Sequence, residues 1–285
     1  MLRVMHASLS RILPIVAALC VVLLAAGCKS GQHVVRSAAD FPKGRGFLVR
    51  TAYADRELHR FVVFLPKNYD PRFKYPTVLF LHGLFEGGDD VTKPLAVGLG
   101  PEIARDPAAW PFITIFPQSK GTWKGDANDR MVMACLAETA RQFSIDRERI
   151  ILAGLSYGGL GTWQIGARHA DVFAALVPVG GFSDQGSAAP LKRTPVWAFH
   201  YSGDIIVPVR HAREMVAELR QIGGNARLTE YAGMGHNPWE KVAAADSGAV
   251  SWMLRQRLSP DAVTAAAAAR SKRPPLAGAA SASAD

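Results

Sequence analysis

The sequence predicts an α/β protein with a mostly parallel, doubly wound sheet and helices on both faces. Short apolar runs alternate along the chain with segments whose apolar residues recur at helical spacing, and this alternation is typical of repeated β–α units. Several apolar runs are continuous, as in strands that are buried on both faces. The chain has 285 residues, of which 49% are hydrophobic and 20% charged, so it can bury a core without disulfides or metal ions.

The N-terminal segment, residues 1–27, has the features of a lipoprotein signal peptide. Arg3 and Arg11 precede the uncharged run ILPIVAALCVVLLAA, which is shorter than the ~20 residues of a membrane span but suits the apolar region of a secretory signal. The run leads into LAAGC, which resembles a bacterial lipobox. In a lipobox, small residues fit the peptidase and the cysteine, here Cys28, becomes a lipid anchor. The alternative is ordinary signal cleavage that leaves Cys28 free.

Lipidation of Cys28 predicts a bacterial cell-envelope protein that contacts the membrane through its anchor. Lys29, and not aspartate, follows the cysteine, which in the enterobacterial sorting pattern favours the outer membrane. Residues 28–46 are polar and contain glycine, and we interpret them as a tether. The folded domain is then residues 47–258, and the alanine-rich, low-complexity residues 259–285 are predicted to be a disordered tail.

The domain is predicted to contain seven strands and four main helices. The strand candidates are residues 60–65, 77–81, 112–116, 150–154, 174–179, 196–200 and 226–231. The helix candidates are residues 128–143, 160–169, 210–222 and 248–257. Sheets of this type bind ligands beyond the carboxyl ends of their strands. Five polar side chains follow predicted strands in this way: His82, Gln118, Ser156, Asp204 and His236.

Ser156 lies in the pentapeptide Gly-Leu-Ser-Tyr-Gly, residues 154–158, between a predicted strand and a predicted helix. The segment lacks the lysine of a phosphate-binding P-loop, and it does not have the G-x-G-x-x-G pattern of a dinucleotide-binding loop. It does have the G-x-S-x-G pattern of a nucleophile on a sharp strand-to-helix turn. Glycine at 154 and at 158 removes side chains that would collide with neighbouring backbone. The pattern predicts a nucleophilic serine.

A serine nucleophile needs a base that takes its proton and an acid that orients the base. We predict His236 as the base, because it lies in a glycine-flanked loop after the last predicted strand. Four other histidines compete for this role. They lie in the loop needed for the oxyanion, on a strand or in helical stretches: His82, His200, His169 and His211.

The acid is predicted to be Asp204, which follows the penultimate strand, with Asp184 after the preceding strand as the alternative. The order serine, acid, histidine along the chain is that of one hydrolase fold. A tetrahedral intermediate also needs two N–H donors. We predict the backbone N–H of Tyr157, next to the nucleophile, and that of Leu84, after His82-Gly83.

Four stretches of the sequence resemble the alpha/beta-hydrolase superfamily: VVFLPKNYDPRFKYPTVLFLHGLFEGGDD, ERIILAGLSYGGLGTWQIGARHADVFAALVPVGG, TPVWAFHYSGDIIVPV and GGNARLTEYAGMGHNPW. The branch that looks most similar is the phospholipase/carboxylesterase group, with the related predicted peptidases and the polyhydroxybutyrate-depolymerase-like or feruloyl esterases. The resemblance runs from about residue 56 to residue 257. It implies the alpha/beta-hydrolase fold, a Ser156–Asp204–His236 triad, a Leu84/Tyr157 oxyanion hole, and neither cofactor nor metal.

The surroundings of the predicted site indicate an open entrance. Only residues 182–194 separate the sixth and seventh predicted strands, which leaves no room for a large lid domain. An open site favours soluble or exposed esters. Trp123 and Trp239 are candidates to line an acyl or alcohol pocket, with core packing as the alternative. An acidic loop is interpreted as solvated and helix-capping, and not as a metal site: Glu86, Asp89 and Asp90.

These observations predict a serine hydrolase that cleaves a small-molecule or oligomeric carboxylic ester through a covalent acyl-enzyme. The triad does not choose between ester and amide, so a peptidase or amidase is one alternative. A non-catalytic binding lipoprotein is the other. The net charge of +9 is dispersed, without a basic stripe that contains aromatic residues, so a nucleic-acid partner is not predicted.

Overall fold

Eight strands form one sheet in the computed structural model, which describes residues 46–261, 263 and 264. The strands are Gly46–Ala54 (β1), Glu57–Leu65 (β2), Tyr75–Leu81 (β3), Ile113–Phe116 (β4), Ile145–Leu155 (β5), Ala175–Val179 (β6), Val196–Tyr201 (β7) and Ala226–Tyr231 (β8). Their order is β1-β2-β4-β3-β5-β6-β7-β8. Strand β2 is antiparallel to both β1 and β4, and all the other pairs are parallel. The predicted mostly parallel sheet is confirmed.

Helices cover both faces of this sheet, as predicted. The described residues include six α-helices: Leu99–Arg105 (α1), Asp126–Gln142 (α2), Tyr157–Arg168 (α3), Arg210–Gln221 (α4), Trp239–Ala243 (α5) and Ala249–Arg255 (α6). Residues 260, 261, 263 and 264, at the start of the predicted disordered tail, are also helical. The apolar residues of α2, α3 and α4 share one core cluster with the sheet, and those of α1, α5 and α6 share the other. Strand residues alternate between the clusters, because successive side chains point to opposite faces.

Strand β1 and helices α1 and α5 were not predicted. Strand β1 is an edge strand with several exposed side chains, so it lacks the continuous apolar run that marks the central strands. It joins β2 through Asp55 and Arg56, whose φ angles of 51° and 66° are those of a tight hairpin turn. Helices α1 and α5 have seven and five residues, too few for a clear helical periodicity.

Several predictions fall outside the described residues. These are the signal peptide, nearly all of the tether, the lipidation of Cys28 and most of the tail, and they stay predictions. Strand β1 begins at Gly46, so the last residue assigned to the tether belongs to the sheet. Among the described residues, none of the helices combines the length and apolar character needed to cross a membrane.

The entrance side of the sheet carries no large insertion between β6 and β7. The connection, residues 180–195, contains only two short 3-10 helices, Gln185–Ser187 and Ala189–Arg193. The absence of a large lid there agrees with the prediction.

Candidate active site

The predicted site residues lie at one edge of the sheet. His82 follows β3, Ser156 follows β5, Asp204 follows β7 and His236 follows β8. These four strands are parallel to one another, so their carboxyl ends meet at the same edge.

Ser156 occupies a strained turn between β5 and α3. Its φ of 58° and ψ of −114° are unusual for a residue with a side chain and cost of order 1–3 kcal/mol. Helix α3 begins at Tyr157, three residues earlier than predicted. A Cβ on Gly158 would lie 1.9 Å from the Leu81 carbonyl oxygen, and one on Gly154 would lie 2.3 Å from the Gly158 carbonyl oxygen. Both glycines are therefore required by close backbone packing.

Asp204 and His236 are brought together by the loops after β7 and β8. The distance from His236 Nδ1 to Asp204 Oδ2 is 2.7 Å. The other carboxylate oxygen, Oδ1, accepts the backbone N–H groups of Ile206 and Val207, each at 2.9 Å. The Asp204 side chain is fully buried, whereas His236 remains 20% exposed.

His200 is a second imidazole partner of this acid, and the sequence reasoning did not find it. Its Nε2 lies 2.7 Å from the Val207 carbonyl oxygen and 3.3 Å from Asp204 Oδ2. Burial by itself would raise the pKa of Asp204, but hydrogen bonds from His200 and His236, the positive charge of His236 and the Val207 N–H together lower it to about 2. Asp204 is therefore ionised at neutral pH.

An ionised carboxylate can only accept hydrogen bonds, so His236 Nδ1 must carry the proton in this pair. The neutral imidazole then has its lone pair on Nε2, which suits a general base.

The end of β6 lies next to both the His236 ring and Ser156. The Ser156 N–H donates to the Val179 carbonyl at 2.9 Å, and a Cβ on the adjacent Gly180 would lie 2.7 Å from the His236 carbonyl oxygen and 3.6 Å from Nδ1. Thus the serine and the histidine flank the same two residues at the end of β6.

The predicted oxyanion donors belong to two segments that lie close to Ser156. Tyr157 is the first residue of α3, and Leu84 is the first residue of the 3-10 helix Leu84–Glu86. A Cβ on Gly83, next to Leu84, would lie 3.8 Å from Ser156 Cβ. The first N–H groups of a helix have no partner within it, so both donors can serve a ligand.

The neutral side chain of His82 connects the Gly83–Leu84 segment with the segment after β4. Its ring is buried, and the contacts are Nδ1 to the Gly83 carbonyl oxygen at 2.6 Å and Ser119 N–H to Nε2 at 3.1 Å. Because Nε2 accepts a hydrogen bond, Nδ1 is the donor to Gly83. Burial lowers the pKa of His82 to about 4. His82 therefore does not compete with His236 as the base.

Two predicted pocket residues and the alternative acid are placed elsewhere. Trp123 and Trp239 are buried core residues, as in the alternative of core packing. Trp123 Nε1 donates to the His82 carbonyl at 2.7 Å, and Trp239 packs edge-on against Phe80. Asp184 accepts a hydrogen bond from Ser187 and is not the partner of His236.

A groove next to Tyr157 is a surface feature that the sequence did not predict. It has a volume of about 330 Å³ and is lined by Tyr157, Phe182, His211 and Lys124, among others. The rings of Tyr157 and Phe182 lie 5.3 Å apart, and those of Phe182 and His211 lie 5.5 Å apart. Because Tyr157 directly follows Ser156, this groove can hold part of a substrate.

The acidic loop after β3 makes capping contacts. Asp90 Oδ1 accepts the Thr92 N–H at 3.0 Å and the Thr92 hydroxyl at 2.7 Å. Within the part of the chain that the structure describes, no three acidic, histidine or cysteine side chains are arranged to hold a metal ion.

A family model matches the central part of the chain. It is that of the prolyl oligopeptidase family, and it matches residues 120–189. The matched segment contains β5, Ser156 and α3 but ends before Asp204 and His236.

Three known proteins are similar to this chain. The bifunctional acetylxylan esterase/xylanase of Neocallimastix patriciarum is 24% identical over 164 residues, which cover 54% of this chain and 22% of that protein. Acyl-protein thioesterase 1 homolog 2 of Dictyostelium discoideum is 29% identical over 161 residues, covering 46% of this chain and 71% of that protein. The crystal structure of a thermostable esterase is similar with a TM-score of 0.64 at 29% identity, covering 74% of this chain and 63% of that one. The chain thus spans less than two thirds of the esterase/xylanase and of the thermostable esterase.

Proposed function

We propose that this chain, a phospholipase/carboxylesterase-like member of the alpha/beta-hydrolase superfamily, is a serine hydrolase that cleaves carboxylic esters. The observation that carries the proposal is the placement of a serine on a strained turn at the same sheet edge as a hydrogen-bonded Asp204–His236 pair. Together these groups supply a nucleophile, a base and the acid that orients the base.

The proposed reaction proceeds through a covalent acyl-enzyme. Ser156 Oγ attacks the carbonyl carbon while His236 Nε2 takes the hydroxyl proton, and the N–H groups of Leu84 and Tyr157 stabilise the oxyanion. As the intermediate collapses, the bond to the alcohol oxygen breaks and His236 returns the proton to that oxygen. Water then attacks the acyl-serine with the same base, which releases the acid and regenerates Ser156.

The names of similar proteins support an ester, and not an amide, as the proposed substrate of this chain. Three of the similar proteins are named as an acetylxylan esterase/xylanase, an acyl-protein thioesterase homolog and an esterase, and the short β6–β7 connection leaves the site open to soluble or surface-exposed esters. A peptidase or amidase is the second candidate, because the family model that matches residues 120–189 is that of the prolyl oligopeptidase family.

A fluorophosphonate probe and paired substrates test this proposal. The wild-type protein should be labelled, and it should hydrolyse a chromogenic ester faster than the anilide of the same acid. Ser156→Ala should lose labelling and at least about 10⁴-fold in kcat, whereas Ser202→Ala, an exposed serine beyond β7, should change little. Folded protein that is not labelled would point to a binding protein, and faster anilide turnover would point to a peptidase.

The same assay can define the acyl group. An acyl-chain-length series of chromogenic esters, with feruloyl and oligomeric hydroxybutyrate substrates beside it, should give one class with the highest kcat/KM. Equal kcat/KM across all of them would contradict selection by a defined pocket.

We also propose that a lipid on Cys28 anchors the enzyme in a bacterial cell envelope, with the outer membrane favoured by Lys29. The sequence of residues 1–29 supports this proposal. The Cys28→Ser variant should leave the membrane fraction and become soluble, because the substitution removes the thiol that carries the lipid. A membrane fraction that the substitution leaves unchanged would contradict the anchor.

A further inference from the structure

We propose that Glu86 is a positioning residue, whose side chain holds the Gly83–Leu84 turn in the form that presents the Leu84 N–H to the oxyanion. This inference rests on the proposed function, because a positioning residue for an oxyanion donor matters only if the reaction forms an oxyanion. It assigns a role to a residue of the acidic loop that the triad and its two donors leave unexplained.

The position of Glu86 in its 3-10 helix gives the first argument. Gly83 is the N-cap residue of this helix, so Glu86 is its third residue. At this position a glutamate side chain can reach back to the N–H of the N-cap residue, as in one half of a capping box. The Glu86 side chain does turn back in this direction, since its Oε2 lies 2.8 Å from the point where a Cβ on Gly83 would stand.

The same point on Gly83 lies 3.8 Å from Ser156 Cβ and 3.8 Å from the Leu155 carbonyl oxygen. The Glu86 carboxylate therefore lies against the turn on the side that borders Ser156. Gly83 has no side chain of its own to fix its conformation, and a glycine loses more conformational freedom than other residues when it is ordered. An acceptor for its N–H is a direct way to hold it in one conformation.

The rest of the loop is fixed from its other end by residues after β4. The buried side chain of Gln118 donates from Nε2 to the carbonyl oxygens of Glu86 at 2.9 Å and Asp90 at 2.8 Å, and the Gly88 N–H donates to the Ser119 carbonyl at 2.9 Å. The backbone of Glu86 is thus held by Gln118. The side chain of Glu86 can then connect this fixed segment with the turn beside Ser156 and limit the movement of that turn.

The electrostatics of Glu86 agree with an acceptor at this place. Burial raises the pKa of Glu86, and the N–H groups of Glu86 and Gly83, with the charges of Lys93 and of His236 when it is protonated, oppose that rise. The half-buried carboxyl thus interacts with the turn and senses the charge state of the proposed base. The two contributions, hydrogen-bond acceptor and negative charge, can be separated by substitution.

Two near-isosteric variants separate them. Glu86→Gln keeps an acceptor and removes the charge, so its kcat should stay within about threefold of wild type. Glu86→Met keeps the length and removes the acceptor, so its kcat should fall roughly tenfold to a hundredfold, a part of the loss known for removal of an oxyanion donor, while KM changes little. The rate of labelling by the fluorophosphonate probe should fall in parallel, because phosphonylation of Ser156 uses the same donors.

Asp89→Asn, on an exposed residue of the same loop, is the matched control and should behave as wild type. Thermal unfolding of every variant reports folding, and Glu86→Ala replaces the methionine variant if that variant is unfolded. A kcat that is unchanged in the acceptor-free variant, or that falls equally in Glu86→Gln, would overturn the inference and leave the proposed function intact. Wild-type protein without Ser156-dependent labelling would overturn both.

Discussion

Asp204 shows how single atoms prepare the proposed base. Its Oδ1 accepts the N–H groups of Ile206 and Val207, while its Oδ2 faces the imidazoles of His236 and His200. Because two backbone donors occupy Oδ1, only an acceptor atom fits at that end of the side chain. The other end must then hold the proton-bearing nitrogen of His236, so the backbone of residues 204–207 selects the tautomer of the base.

Asp204→Asn should prevent His236 from acting as a base, although the His236 side chain is still present. The asparagine carbonyl would take the place of Oδ1, and its NH₂ group would face His236 Nδ1, which would then have to accept. The proton moves to Nε2, and this tautomer cannot take the serine proton, so we expect a loss of about 10⁴-fold in kcat. Steady-state kinetics with a chromogenic ester measures it.

The matched control for this variant is Asp184→Asn, because Asp184 was the alternative acid in the sequence. It should retain kcat within a few-fold, since Asp184 contacts Ser187 and not His236. If Asp184→Asn were inactive and Asp204→Asn active, the assignment of the acid would be wrong.

The sequence could point to Ser156, Asp204 and His236 because each follows a predicted strand and has a glycine within two residues of it. It could not identify His200 or Glu86. His200 is an internal residue of the apolar β7 run, and its contact with Asp204 depends on how the loop after β7 folds back. Glu86 reaches Gly83 only because residues 84–86 form a helical turn, and three residues carry no periodicity from which to predict it.

At the scale of elements, the β5–α3 elbow was the most predictable part of the fold. A continuous apolar run followed by closely spaced glycines indicates that backbone must pass close to backbone, and the structure has such contacts at Gly154 and Gly158. The strand order was not predictable. Strand β4 pairs with both β2 and β3, although β3 lies between β2 and β4 in the chain, and no local pattern records that crossing.

The observed boundaries of strands differ from the predicted ones where part of a strand is exposed to solvent. Strand β5 extends back to Ile145 and β2 back to Glu57, beyond the apolar runs that marked them. Their added residues are partly exposed, so they carry no hydrophobic signal even though they pair with neighbours. The carboxyl ends, which lead to the site, were placed to within one residue; those of β3, β5 and β6 are buried, whereas the last residue of β7 and the last two of β8 are partly exposed or exposed.

At the scale of the whole molecule, the proposed site and the stability of the fold depend on the same buried titratable groups. His82 has a pKa lowered by burial from 6.5 to about 4. Between these values the unfolded chain binds more protons at this position than the folded one, so the free energy of unfolding decreases as the pH falls from 6.5 to 4. A shift of this size corresponds to about 3 kcal/mol. Asp204, with a pKa lowered from 3.8 to about 2 by hydrogen bonds that outweigh its burial, adds a further loss below pH 4.

Stability should therefore fall in two successive stages on acidification, and urea unfolding at a series of pH values between 7 and 3 measures the free energy of unfolding directly.

His82→Gln tests the first stage. Glutamine can donate to the Gly83 carbonyl and accept the Ser119 N–H, the two hydrogen bonds that the imidazole makes, but it does not titrate. The variant should lose most of the slope between pH 6.5 and 4 and keep the slope below pH 4, whatever its stability at pH 7. His59→Gln, on a partly exposed strand residue, should keep both. A slope above pH 4 that survives in His82→Gln would show that another group controls the acid sensitivity of the fold.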